Sequence, residues 1–158
     1  MCSSDLGKFR PKPAEALQLV ALDEGWATIA RDAALVRGHD LDGSILWTVE
    51  LPWAPWSARR LGHMVLVTSG EGYSLLIDLE GNLLEENREP REQARYFLFR
   101  DGSVGRLFVT GGTLIVTTFA GRLLWRRDDE HRIGERTAGP AGVWVFLGRH
   151  LAYFPWGN

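Results

Sequence analysis

Cysteine is almost missing from this chain: Cys2 is the single copy, which leaves no internal disulfide and no cysteine pair for a metal. No apolar run approaches the roughly 18 residues that a membrane-crossing helix needs, so no membrane span is expected. Neither charge dominates, since 18 Lys and Arg face 20 Asp and Glu for a net charge of -2. That balance provides no basic stripe for a phosphate backbone, which argues against a nucleic-acid partner. His39, His63, His131 and His150 lie far apart, with no His-x-x-x-His or comparable ligand spacing. Ser69 lies in Ser-Gly-Glu-Gly and Ser103 follows Asp-Gly, so neither occupies a Gly-x-Ser-x-Gly elbow. Gly70-Glu-Gly72 and Gly111-Gly112 open no helix that would make a phosphate loop of them. The expectation is therefore no catalytic residue, no metal ligand and no cofactor, and nothing here argues positively for an enzyme.

What is present is a repeat. Gly43, Gly81, Gly121 and Gly157 are separated by 38, 40 and 36 residues. Around the first three the chain reads Asp40-Leu-Asp-Gly-Ser-Ile-Leu-Trp47, Asp78-Leu-Glu-Gly-Asn-Leu-Leu-Glu85 and Thr118-Phe-Ala-Gly-Arg-Leu-Leu-Trp125. Each glycine falls between two apolar runs, where a tight hairpin needs a residue able to take positive φ. The hydrophobic fraction of 45% over 158 residues is enough for a core in a single domain.

The same order of strands recurs before each turn. In the third unit, strands are expected over Tyr96–Arg100, Val104–Thr110, Thr113–Thr118 and Arg122–Arg126, with Asp101-Gly102 as a hairpin. The second unit repeats this as Trp56–Leu61, His63–Ser69, Tyr73–Asp78 and Asn82–Glu86, and the first more loosely over Leu17–Val49, with turns at Asp23–Gly25 and Asp40–Gly43. Leu17–Leu22 alone suits helix or strand, and only the repeat register favours a strand. The fourth unit offers Val143–Leu147 and His150–Phe154 and stops one strand short.

Four short strands at a period near 40 imply an all-β, β-propeller-like array of about four four-stranded antiparallel blades, an incomplete one. The expected units cover residues 15–53, 54–93, 94–131 and 132–158. Asp40, Gly43 and Trp47 resemble the docking motif of the pyrroloquinoline-quinone-type (quinoprotein-like) propeller repeat, a relative in architecture of the WD-repeat propellers. In that family the Trp wedges between neighbouring blades. The usual Asp lies one residue farther from the Gly there, and Glu85 replaces the Trp in the second copy. The dehydrogenases of that family need a closed ring and acidic calcium ligands, for which no residues here are candidates. Residues 1–6 resemble a translated sequencing-adapter end, so residues 1–14 are read as an artefactual or disordered segment of a fragment, and a missing signal peptide then says nothing of compartment.

The seven tryptophans suit packing between blades. Trp26, Trp47, Trp125 and Trp144 fall inside expected strands and are assigned to that packing. Trp53 and Trp56 lie in Leu51-Pro-Trp-Ala-Pro-Trp56, whose prolines place both in a connection, where they either cover the rim or meet a partner. Asp128-Asp129-Glu130-His131 is read as a solvated link, with cation binding or acid-base work as the alternative. Chain topology puts Trp53, Trp56, Arg88, Arg91, Asp128 and His131 on one face of the array, the expected partner-binding face.

The resulting expectation is a non-catalytic propeller scaffold or binding module, a fragment of a larger bacterial protein, that meets a protein partner or the remaining blades of its own propeller. Open strand edges would promote such association. The alternative is part of a propeller enzyme, a quinoprotein-like oxidoreductase or a hydrolase, whose active site needs the missing blades. A third reading, a shell-forming tyrosine-aspartate repeat suggested by Phe119-Ala-Gly-Arg-Leu-Leu124, conflicts with the repeat length.

Overall fold

The computed structural model describes residues 17–91 and 93–157. The expected N-terminal segment 1–14 lies outside them. Strands β1 (Leu17–Leu22), β2 (Gly25–Ala30), β3 (Leu35–His39) and β4 (Ile45–Glu50) form blade 1. Blade 2 holds β5 (Pro55–Leu61), β6 (Met64–Ser69), β7 (Ser74–Asp78) and β8 (Leu83–Asn87). Blade 3 holds β9 (Arg95–Leu98), β10 (Val104–Thr110), β11 (Thr113–Thr118) and β12 (Leu123–Asp128). Blade 4 has three strands, β13 (Ile133–Gly139), β14 (Gly142–Leu147) and β15 (His150–Pro155). In each blade consecutive strands pair antiparallel, so every sheet is a meander. Leu17–Leu22 is a strand, fixed by its ladder from Leu17↔Ala30 to Leu22↔Gly25. Strand β13 completes the three strands expected of a fourth unit one strand short; its bounds could not be read in advance, because Gly134, Arg136 and Gly139 blunt its apolar alternation, and pairing with β14 decides it.

The repeated turn has a local cause. Asp40 Oδ1 accepts from the N–H groups of Asp42 and Ser44 at 3.0 and 2.9 Å, and Asp78 Oδ1 accepts from those of Glu80 and Asn82 at 3.0 and 2.8 Å. Thr118 Oγ1 accepts from Arg122 N–H at 3.0 Å in the same position. These short side chains satisfy turn donors and hold the reversal. Gly43, Gly81 and Gly121 complete it at φ of 87°, 87° and 104°. Beyond the turn, each outer strand carries a register shift at the same place, at Gly38/His39, Leu76/Ile77 and Val116/Thr117. Gly157, the fourth member of the period, departs from this pattern: it follows β15 without a positive φ and without a described turn.

Burial distinguishes middle blades from end blades. Val65, Leu66 and Val67 in β6 are all buried, as are Val104 to Phe108 in β10, because blades 2 and 3 have a neighbour on each side. In β14 the buried side chains Val143 and Val145 alternate with exposed Trp144 and Phe146. The blade 1–2 core joins Ala27, Ile29 and Val36 to Val65, Val67, Leu75 and Ile77. Between blades 2 and 3 the core is Leu66 and Leu76 against Tyr96, Val104 and Phe119. Phe97, Leu107, Leu114 and Val116 meet Val143 and Val145 between blades 3 and 4. The first strands, β1 with β5 and β9 with β13, come closest, which sets the inner side of the arc.

Two of the four strand tryptophans do not pack between blades. Trp47 and Trp125 join the inter-blade cores as expected. Trp26 instead stacks on His39, with ring centroids 5.7 Å apart, on the side of blade 1 away from blade 2. Trp144 is 46% exposed on the side of blade 4 away from blade 3. Strand period assigned them to a sheet face, and the position of the blade in the array left that face uncovered. Trp56 lies within β5, as the expected strand Trp56–Leu61 has it and against its placement in a connection, because Pro55 is tolerated as the first residue of a strand.

Candidate functional site

A cleft of about 500 Å³ opens between blades 2 and 3, lined by Trp56, Thr68, Ser69, Gly72, Arg91 and Tyr96 among others. Its wall is the β6–β7 turn. Ser69 accepts from Gly72 N–H through its carbonyl at 3.3 Å and from Tyr73 N–H through its hydroxyl at 3.0 Å, so a short loop is locked by one residue. Gly72 takes φ of 92° to close that loop, and its carbonyl accepts from Arg91 N–H at 3.1 Å. That bond ties the β8–β9 connection to the turn and fixes Arg91 beside the cleft.

Two arginines are held against aromatic rings here. The Arg31 guanidinium lies 4.6 Å from the Trp56 ring centroid and donates to the Trp56 carbonyl at 2.8 Å. The Arg91 guanidinium lies 5.1 Å from the Phe108 ring and pairs with Glu89 at 3.7 Å. Trp56 remains 60% exposed. Planar guanidinium groups stacked on rings lose little further entropy when they bind a carboxylate. The floor is equally fixed: Arg59 donates to the Tyr96 carbonyl at 2.7 Å across the blade boundary, and Ser57 and Thr68 share a hydrogen bond of 2.8 Å.

Behind the cleft, Arg106 fills the blade 2–3 interface with its side chain fully buried. It donates to Thr117 Oγ1 at 3.4 Å and to the Glu89 carbonyl at 3.3 Å, and its Nη2 has no acceptor among the described residues. Burial lowers its pKa from the ordinary arginine value, opposed by nearby Tyr96 and Glu89. Arg106 occupies an interface where the docking tryptophan is replaced by Glu85.

Of the six residues expected on the partner face, Trp56 and Arg91 share the cleft. Trp53 is half-buried against the blade 1–2 core, with its indole N–H buried and without a partner among the described residues. Arg88 extends into solvent and pairs with Glu86 at 3.3 Å. Asp128 is the last residue of β12, where it accepts from Thr113 and pairs with Arg126, which keeps its carboxyl below the usual range. His131 Nδ1 lies 2.9 Å from Asp129, whose pKa is lowered first by the His131 backbone N–H. The sequence reading missed Tyr96, which lines the cleft from blade 3, and Arg31, which reaches the Trp56 ring from blade 1; neither carries a local signal that would have found it.

A larger cavity of about 620 Å³ lies on the opposite face between blades 3 and 4, with Phe99, Asp101, Arg122, Trp125 and Trp156 in its walls. Its origin is structural. Trp125 stands where Trp47 stands in blade 1, but the described part of blade 4 has no turn like that of Gly81 to fill the space. The smaller cleft, beside which two arginines are fixed on aromatic rings, is the better-built site.

No protein-family model matches the chain. No curated protein matches it in sequence. Solved structures do match. BamB from Moraxella catarrhalis superposes with a TM-score of 0.56 at 18% identity, covering 87% of this chain and 45% of BamB. A streptogramin B lyase gives a TM-score of 0.56 at 13% identity, covering 92% of this chain and 56% of the lyase. The computationally designed Ika4 protein gives 0.59 at 16% identity, covering 93% of this chain and 95% of Ika4. The chain spans about half the length of the two natural structures. No helix among the described residues is long and apolar enough to cross a membrane. The chain is an all-β array of four antiparallel sheets of three or four strands with propeller-like neighbours, in which the ring is not closed.

Proposed function

We propose that the chain is a non-catalytic propeller module that binds an acidic, apolar-tipped segment of a partner protein in the cleft between blades 2 and 3. The observation that carries this reading is the exposed Trp56 ring, held from one side by Arg31, at the mouth of a cleft that Arg91 also lines. An apolar side chain would cover the indole and a carboxylate would meet Arg91, the pairing of aromatic and arginine anchors typical of recognition surfaces. Fold alone does not decide function, since a designed protein and a lyase share this architecture. The test is binding of the 158-residue chain to immobilised peptides that combine Asp or Glu with Leu or Phe. Retention that falls with Trp56→Ala and Arg91→Ala, but not with Arg88→Ala, supports the reading; equal retention of all four proteins refutes it.

A second reading is part of a quinoprotein-like propeller enzyme within a larger bacterial protein. It is favoured by the Trp47 docking arrangement and by the fraction of a natural propeller that the chain spans. Binding of quinone with calcium by a longer gene product containing this chain would support it.

A further inference from the structure

Arginines from three successive blades converge on one short backbone segment. The first strand of each blade lies on the inner side of the arc, and there β5 carries Arg59, β9 carries Arg95 and β13 carries Arg136. Arg59 Nη2 donates to the Tyr96 carbonyl at 2.7 Å, and Arg136 Nη2 donates to the Gln93 carbonyl at 3.4 Å. Arg95 lies between those two acceptors in the chain. The segment 93–96 thus gathers the guanidinium groups of blades 2, 3 and 4. That segment is itself fixed, because Arg91 N–H donates to the Gly72 carbonyl at 3.1 Å and Ala94 N–H to the Arg91 carbonyl at 3.3 Å. Gln93 takes φ of 58° there, a left-handed conformation that few non-glycine residues adopt.

Opposite charge is scarce around this cluster. Among the described residues its carboxylate partner is Glu135, 3.5 Å from Arg95, and with side chains 84% and 61% exposed the two hold each other loosely. Arg59 and Arg136 each commit one nitrogen to a described acceptor, and Arg136 Nε is buried without a partner among the described residues. Burial, and after it the Arg95 charge, lower the pKa of both Arg59 and Arg136, against opposing pulls from Tyr96 on the first and Glu135 on the second. The like charges therefore stand within reach of one another. Guanidinium forks of one sign around a fixed backbone are the chemistry that holds a multivalent oxyanion. A carboxylate presents its oxygens in one plane, which a single fork already satisfies. Forks arriving from separate strands suit a tetrahedral phosphate, whose oxygens point in several directions.

We propose that Arg59, Arg95 and Arg136 form a binding site for a small, soluble, phosphate-bearing anion on the inner side of the arc, where they meet at residues 93–96. The anion takes the donors that the backbone carbonyls leave over and relieves the crowding of like charge. A soluble ligand fits better than a lipid headgroup, because a flat membrane surface does not enter the inner side of an arc. The site does not rest on the proposed partner of the cleft, although Gln93 and Tyr96 line that cleft as well.

The experiment is calorimetric titration of the 158-residue chain with inorganic pyrophosphate in about 0.15 M salt, where attraction between distant exposed charges is largely screened. Binding with a Kd on the order of 0.1 mM is expected. Arg95→Gln removes a solvent-facing charge, so it should weaken binding about 10-fold and leave the circular dichroism spectrum unchanged. Glu135→Gln removes the competing carboxylate and should tighten binding about 3-fold, a gain that a merely structural role would not produce. Arg88→Gln, 84% exposed and outside the cluster, should bind as the parent does. No binding up to about 5 mM pyrophosphate, unchanged affinity in Arg95→Gln, weaker binding in Glu135→Gln, or an equal loss in Arg88→Gln would each overturn the proposal. Citrate bound as tightly as pyrophosphate would overturn the phosphate assignment. Sedimentation with phosphatidic acid vesicles that pyrophosphate does not compete away would overturn the assignment to a soluble ligand.

Discussion

The indole of Trp47 in blade 1 lies flat against Gly81 in blade 2, so close that a Cβ on Gly81 would stand 2.6 Å from the ring, while Trp47 Nε1 donates to the Leu79 carbonyl at 3.1 Å. One residue thus locks two blades, by area and by a hydrogen bond.

Replacing Gly81 with Ala should destabilise the protein by about 2–4 kcal/mol, combining positive φ with a clash against the Cβ and ring of the docked Trp47 side chain. Gly111 is the control, because it also has positive φ but nothing within 4 Å of its Cβ position. Gly111→Ala should cost only about 1 kcal/mol. Urea unfolding of both variants decides the matter, and equal losses would show that Trp47 yields easily. Trp47→Ala should cost about 3–5 kcal/mol.

Arg106 offers a test of what a buried charge contributes. It is fully buried with one unpartnered nitrogen, so Arg106→Met should change stability by no more than about 1 kcal/mol, or raise it. Arg106→Ala leaves a cavity and should cost about 2–5 kcal/mol. A large loss with Met would mean that the bonds to Thr117 and Glu89 outweigh desolvation.

Acid should weaken the turns. For Asp78, burial acts to raise the pKa, but hydrogen bonds from the Asn82 backbone and side chain and from Glu80 outweigh it, so the folded value is lowered. Asp101 is lowered by the Ser103 hydroxyl and backbone N–H. A folded pKa below the unfolded one means stability is fully present above the unfolded value of about 3.9 and is lost as pH falls through the folded value. Thermal unfolding should therefore be level from about pH 5 upward and fall below about pH 4. Asp78→Asn keeps the acceptor for the turn N–H groups and removes the titration, so its melting temperature should fall less steeply in acid; an unchanged slope would exclude Asp78.

At the cleft, Trp56→Ala should weaken binding of an acidic-apolar peptide by on the order of 30-fold, a loss of about 2 kcal/mol at a central anchor. Raising the salt from 0.05 to 0.5 M should weaken binding by the parent chain more than by Arg91→Ala, as screening acts on the carboxylate contact. Titration calorimetry at the two salt concentrations measures both effects.

Strand order, hairpin positions and the meander within each unit were legible in the sequence because their causes lie within a few residues: Asp40, Asp78 and Thr118 cap turns that Gly43, Gly81 and Gly121 complete, and alternation sets each strand's two faces. For the site, the sequence singled out Trp56 and Arg91 by residue type and connection, but not the cleft they share. Local pattern could not say which face of a strand would find a neighbouring blade. Tertiary structure decided that Trp47 docks on Gly81 while Trp144 remains exposed, that Trp53 covers a core, and that Arg31 reaches Trp56 from the preceding blade. The physical reason is range: hydrogen bonds of a turn close over four residues, whereas burial of an indole depends on which sheet the whole array brings against it.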